Sequence, residues 1–350
     1  MQALDGRVDA VLILSEKNRR YFTGFASSAG ILLVTEKQAY FLTDFRYVEK
    51  AKRDAQDCEV ISLTNSTEQL RALFADLHIR TCGVEKRQIT LHEFMDLQAK
   101  FPDIEFDVAA DVNNIIDAMR AVKSHREMKR IRQAQAITDA AFTEILTFLR
   151  PGVTEREVAA ELEYRMRRMG ADGLAFETIA VSGQNSSMPH GTPTDKPLAH
   201  GDFLTIDFGA QIDGYASDMT RTVMLGTPSD EQRRVYDTVL HAQCLALEAI
   251  RPGAVCKEID KIARDYIDAQ GYEGCFGHGL GHSVGLDIHE LPAFNLRDTT
   301  QLQPGMVITV EPGVYLSGQF GVRIEDMVVI TEDGCENLTQ SVKEMICLSA

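Results

Sequence analysis

Two stretches of this sequence align without gaps: RPGVTEREVAAELEYRMRRMGADG, Arg150 to Gly173, and RPGAVCKEIDKIARDYIDAQGYEG, Arg251 to Gly274. Arg-Pro-Gly opens both. Glu157 answers Glu258, Gly170 and Gly173 answer Gly271 and Gly274, and Val158 meets the similar Ile259. In each copy Pro-Gly ends one helix, and the next helix closes on a glycine, the residue that helix ends favour. The copies stand 101 residues apart (251 − 150). That regularity predicts a duplication, two related halves around one sheet with a cleft where they meet. Chance recurrence of Pro-Gly before a helix is the competing reading.

Working outward, SHRE at Ser124 to Glu127 has the form of a capping box and opens a long helix through about Thr147. Met128, Ile131, Ala134, Ile137, Ala141 and Ile145 recur at helical spacing along it. Before it, VDAVLIL, AGILLV, AYFLTD, CEVISL, CGVEK and EFDVAA read as strands with helices between several of them. The chain therefore reads as an α/β domain over residues 1–118 and a second domain over 119–350.

The chain has 350 residues, 44% hydrophobic and 25% charged, as in ordinary folded domains. A net charge of −16 argues against nucleic-acid binding, which calls for clustered basic residues. It also weakly disfavours an anionic substrate. The seven cysteines are scattered without a CxxC pair, so neither a disulfide framework nor a zinc ribbon is expected, and a cytoplasmic setting fits. The N-terminal run VDAVLIL reads as a buried strand rather than a signal peptide, and no apolar run approaches the ~18–20 residues of a membrane span.

Chemistry-bearing residues gather in the second domain. In LTIDFGAQIDGYASDMTRTV, Asp213-Gly214 is a strong two-residue hairpin signal. That turn pairs Asp207 with Thr220 and Gly209 with Asp218, placing both aspartates on one face as diagonal neighbours. In VITVEPGVYLSGQFGVRIEDMVVI, a three-residue loop centred on Gly318 sets Glu311 opposite Glu325. Pro312 must then fall at an edge or a bulge. Four carboxylates converging from two hairpins would repel one another unless protons or cations intervene. Oxygen donors with one imidazole suit a pair of divalent first-row ions better than a structural zinc.

Between the hairpins lies GHGLGHSVGLDIHELP, Gly277 to Pro292, holding three of the nine histidines. Taken singly, each of these features has a bland reading: a turn, a solvated strand end, a surface loop. Their joint order points to a site.

These residues resemble the creatinase/prolidase/methionine aminopeptidase superfamily, whose catalytic domain has the pita-bread fold. MRAVKSHREMKRIRQA, IDFGAQIDGYASDMTRT, GHGLGHSVGLDIHE, TVEPGVY and VRIED look like its motifs, in its order, and the likeness covers the whole chain. YFTGF and TDFRY resemble the creatinase-like N-terminal domain of Xaa-Pro dipeptidases and aminopeptidase P. The implied architecture is a creatinase-like α/β domain followed by a pseudo-two-fold pita-bread domain.

The resemblance implies five metal ligands: Asp207, Asp218, His282, Glu311 and Glu325. Asp207 would chelate one ion, Asp218 and Glu325 would bridge both, and His282 and Glu311 would complete the other site. His190 and His289 match histidines that contact substrate or the tetrahedral intermediate, and His278 matches one lining the proline pocket. Arg323 and Tyr315 match groups beside the carboxylates and the substrate. Creatinase keeps this fold without the metal ligands, whereas all five are present here. The implied activity is hydrolysis of an N-terminal Xaa-Pro bond in dipeptides or short peptides by a hydroxide bridging two divalent ions, with Glu311 shuttling the proton. Manganese is the expected metal, with cobalt, zinc and iron as alternatives. Proline-containing peptides are the expected substrate and a homodimer the expected assembly. The competing functions are a general or methionine-type aminopeptidase and a non-peptidase creatinase-like relative.

Overall fold

The structure is a computed structural model that describes residues 6–349. It divides into two compact units, residues 1–119 and 120–350.

The first unit forms a six-stranded sheet in the order β4-β3-β2-β1-β5-β6. Its strands are β1 (Ala10–Ile13), β2 (Ile31–Thr35), β3 (Ala39–Thr43), β4 (Glu59–Ser62), β5 (Thr81–Val84) and β6 (Glu105–Asp107). All six fall on the expected apolar runs. β2 is antiparallel to β1 and β3, while the remaining pairs are parallel. Side chains alternate across the sheet. Val11, Ile13, Leu32 and Phe41 join one buried cluster, and Ala10, Leu12, Leu33 and Leu42 the other. A sheet covered on both faces explains why these strands read as continuous apolar runs. The helices are α1 (Glu16–Thr23), α2 (Val48–Asp54), α3 (Ser66–Asp76), α4 (Leu91–Lys100) and α5 (Val112–Ala121), the last of which reaches the start of the second unit.

The second unit is built twice. Its first half holds α6 (His125–Ile145) and α7 (Glu155–Arg168), then β7 (Gly173–Leu174), β8 (Ile179–Ser182), β9 (Phe203–Phe208), β10 (Ala210–Ile212), β11 (Tyr215–Ala216) and β12 (Met219–Leu225). Ser124 caps α6 in the expected reciprocal box with Glu127. The second half holds α8 (Asp230–Ala249), α9 (Cys256–Ile267), β13 (Gly281–Ser283), β14 (Glu290–Phe294), β15 (Val307–Val310), β16 (Gly313–Leu316), β17 (Phe320–Arg323), β18 (Asp326–Ile330) and β19 (Cys335–Asn337), and the short β20 (Cys347–Leu348) returns to the first half.

The two sequence copies build the same turn. Gly152 and Gly253 both take positive φ, 93° and 81°. Gly152 N donates to Leu198 O at 2.9 Å, and Gly253 N donates to Leu302 O at 2.8 Å. The return bonds, Leu198 N to Val153 O and Leu302 N to Ala254 O, are 2.8 and 2.9 Å. Gly170 and Gly271 are left-handed as well, although α9 ends at Ile267 and a wider turn over Asp268–Tyr272 precedes the exit.

The halves do not share one hydrogen-bonded sheet, contrary to the expectation. A four-stranded sheet, β20-β12-β9-β8, and a five-stranded one, β14-β13-β15-β18-β19, are joined at a few points. Glu325 N donates to Thr220 O at 3.0 Å, and Ala216 N to Gly285 O at 2.9 Å. Buried Arg221 of β12 donates to Asp326 Oδ1 of β18 at 2.7 Å and to the Ser341 carbonyl at the same distance. Continuous pairing fails because both central hairpins are interrupted where they meet.

Candidate metal centre

Both hairpins have the register read from their turns. Asp213 and Gly214 take φ of 46° and 78°, the two positive values a two-residue turn of this kind needs. Ile212 pairs with Tyr215 and Asp207 with Thr220. In the other hairpin Leu316 pairs with Phe320, Gly313 with Arg323 and Val310 with Asp326.

Each ladder is broken beside the carboxylates. Gly209 and Asp218 were expected to pair but lie in the gap between the β10–β11 and β9–β12 segments. There the Ser217 carbonyl comes so close that a Cβ on residue 209 would stand 1.9 Å from its oxygen. Pro312, with no N–H to give, falls in the matching gap of the second hairpin. Glu311 N turns instead to Leu280 O at 2.8 Å. Asp218, Glu311 and Glu325 lie in these gaps, Asp207 stays paired within β9, and all four line one cleft of about 700 Å³.

Asp207, Asp218, His282, Glu311 and Glu325 all line that cleft. One donor atom each from Asp218, His282 and Glu325 lie within 4.8 Å of one another. His282 Nε2 is 3.5 Å from Asp218 Oδ2 and 3.4 Å from Glu311 Oε1. Asp207 Oδ2 accepts from Arg323 Nη2 at 2.7 Å, and Glu325 Oε2 accepts from Thr220 Oγ1 at 2.8 Å. Asp207 Oδ1, Asp218 Oδ1 and Glu325 Oε1 are buried without a hydrogen-bond partner. Leaving such oxygens unpaired is costly, so the donor set fits cations.

The electrostatics agree. Burial, then the charges of Glu325, Asp207 and Glu311, push Asp218 well above the usual carboxylate range. Burial and then Glu311 and Asp207 do the same to Glu325. Burial raises Glu311 to about 8. His282 is lowered to about 4 by burial and then by His289, which favours the neutral imidazole that a metal ion requires. Without a cation between them, these acids can ionise together only at high cost.

His190, His278, His289 and Arg323 also line the cleft. The His289 ring stands edge-on to His282 with centroids 4.3 Å apart. His278 offers its ring rather than its nitrogens: Nδ1 pairs with Gly279 O at 2.8 Å and Nε2 with the Tyr315 hydroxyl at 2.9 Å. That hydroxyl accepts from Arg323 Nη1 at 2.8 Å, so Tyr315 is tied between the arginine and His278. Sequence reasoning missed Thr220, although its place opposite Asp207 was the available signal. It also missed Lys123, buried with Nζ 2.8 Å from Ser283 Oγ and 3.2 Å from Glu290 Oε2, behind the strand that bears His282.

Residues 129–332 match the model of metallopeptidase family M24, and residues 1–122 match the creatinase/prolidase N-terminal domain. The chain is 39% identical to a Xaa-Pro dipeptidase of Pyrococcus horikoshii over 97% of this chain and 95% of that one. Its structure superimposes on a Xaa-Pro dipeptidase from Bacillus anthracis with a TM-score of 0.94 at 40% identity, covering 99% and 98% of the two chains. An X-Pro aminopeptidase from Thermotoga maritima gives 0.92 at 40% identity, with 97% of each chain covered.

Proposed function

We propose that this chain, which belongs to metallopeptidase family M24, hydrolyses the peptide bond between a free N-terminal residue and proline, with two divalent ions held by Asp207, Asp218, His282, Glu311 and Glu325. The observation that carries this reading is the convergence of four carboxylates and one imidazole, with three buried carboxylate oxygens left unpartnered. When bound, such ions activate a water and polarise the scissile carbonyl. Manganese is the expected occupant, since a carboxylate-rich set suits hard ions; cobalt, iron and zinc are the alternatives.

The chain's own residues do the rest. Arg323 occupies one oxygen of Asp207 and Thr220 one of Glu325, which leaves Asp207 Oδ1 and Glu325 Oε1 unpartnered and able to serve an ion. Glu311 is the proton carrier to the leaving nitrogen, held by Thr309 Oγ1 at 3.3 Å on Oε1. His190 and His289 stabilise the developing charge at the scissile group. A prolyl nitrogen carries no N–H before cleavage, so its ring is selected by shape. The His278 ring, packed edge-on to Phe276 at 5.0 Å with both nitrogens engaged inward, is an apolar surface for it.

The relatives include both a Xaa-Pro dipeptidase and an X-Pro aminopeptidase, so substrate length is the discriminating variable. A homodimer in the cytoplasm is the expected setting, and among the described residues no helix is long and apolar enough to cross a membrane. Ala-Pro, Ala-Pro-Ala and Met-Ala are offered to the manganese-loaded protein. Turnover of either proline substrate with none of Met-Ala supports the proposal. Turnover of Met-Ala alone would favour a general aminopeptidase.

A further inference from the structure

We propose that Glu155 is the positioning residue for the cleft wall that carries His190. The proposal rests on the reading of His190 as a substrate-contacting group. Pro189 to Pro193 form a continuous strip of the cleft wall. Both ends of the segment that bears them converge on one carboxylate. Glu155 is fully buried and accepts six hydrogen bonds. Before the strip, Ser182 N and Oγ donate to Oε1 at 2.6 and 2.9 Å, and Asn185 Nδ2 reaches both oxygens at 3.1 Å. After it, Thr194 N and Oγ1 donate to Oε2 at 3.1 and 2.6 Å. The carboxylate therefore closes the segment into a loop whose tip presents His190.

A buried carboxylate needs compensation, and this one has it. Glu155 is the first residue of α7, where the helix N-terminus favours negative charge. Its donors satisfy both oxygens, and Lys196 Nζ, 2.8 Å from Ser182 Oγ, brings a cation one bond away.

The duplicated architecture shows that the clamp is not needed to build the turn. In the second half the matching position is Cys256. The backbone bond is kept: Glu155 N to Lys196 O at 3.1 Å has its counterpart in Cys256 N to Thr300 O at 3.0 Å. In that half a different carboxylate, Asp298, accepts from Ala293 N at 2.9 Å and Thr300 N at 2.8 Å within its own loop. The closure from the helix start, joining Ser182, Asn185 and Thr194 on Glu155, belongs to the half whose loop bears His190.

Glu155→Gln tests this. A glutamine puts an NH2 group against either the Ser182 or the Thr194 N–H, whichever way it turns, and so releases one end. The expected result in the metal-loaded protein is amide exchange over residues 183–194 at least ~10-fold faster, with α6 and α8 unchanged. Turnover number should fall on the order of 10²-fold with KM nearly constant, as for a small misplacement of a reacting group. In a His190→Ala background the same substitution should cost nothing further. Unchanged exchange, or the full loss repeated in the His190→Ala background, overturns the proposal. If His190→Ala alone keeps full turnover, the reading of His190 fails while the exchange still decides the clamp. Should Glu155→Gln not fold, exposed Thr194→Ala keeps the Thr194 N–H bond to Glu155 and removes the Oγ1 bond, together with the longer bonds Oγ1 accepts from Lys196 N at 3.2 Å and Asn185 Nδ2 at 3.4 Å. Faster exchange around residues 191–196 is then expected, and unchanged exchange overturns the clamp.

Discussion

Arg323 Nη2 donates to Asp207 Oδ2 at 2.7 Å with both side chains largely buried, so one guanidinium stands against a cluster of four acids. The same arginine donates to Tyr315 at 2.8 Å and to the Pro189 carbonyl at 3.3 Å, beside His190. Arg323→Met strips the cluster of this charge. Breaking a buried pair costs about 3–5 kcal/mol. The expected outcome is a loss of that order in the ion-free protein and a smaller loss once ions are added, measured by denaturant unfolding with and without chelator.

Asp218 and Glu325 combine deep burial with an unpartnered oxygen each. Asp218→Asn and Glu325→Gln relieve repulsion but remove donors. Both should raise the melting temperature of the chelated protein relative to the unaltered chain. Both should also abolish turnover and weaken ion binding, read by calorimetry. Retained turnover in Asp218→Asn would discredit the site.

His278 is lowered to about 4 from an ordinary 6.5 by burial, then by Arg323. Between those values the unfolded chain binds a proton that the folded chain refuses. Its contribution to stability is complete above about pH 6.5 and is lost as pH falls toward 4. Imidazole NMR should show His278 neutral at pH 5.5, and an ordinary titration near 6.5 would contradict the buried Tyr315–His278 bond.

Gly209 and Gly281 hold matching close approaches, where a Cβ would lie 1.9 Å from the carbonyl oxygens of Ser217 and Thr309. Neither backbone can yield without moving a strand that carries or adjoins a proposed ligand. Alanine at either position should cost at least about 3 kcal/mol, at or beyond the upper end of overpacking penalties, and should lower ion affinity. Gly277, with open space around it, is the control that should tolerate alanine.

Much of this is legible in the sequence because it is local. Asp213-Gly214 and Gly318 fix the register of both hairpins, and that register alone sets Asp207 against Thr220. The six strands of the first unit follow from apolar runs buried on both faces. What escapes depends on distant chain. The interruption at Gly209 arises from the approach of Ser217, and the one at Pro312 from the bonds of Glu311 to Leu280 and Glu325 to Thr220, so neither the split into separate sheets nor the exact pairing of Asp218 can be read from alternation. Glu155 looks like an ordinary acid in a helix's first turn; the distant Ser182, Asn185 and Thr194 enclose it.

The most direct test of the central claim is proline release from Ala-Pro by chelator-stripped protein during titration with manganese. The expected result is no release without ion and recovery as the ion is added, accompanied by a rise in melting temperature as binding favours the folded state. Full release by the stripped protein, or none with manganese, cobalt, iron or zinc, would contradict the assignment of the four carboxylates and His282.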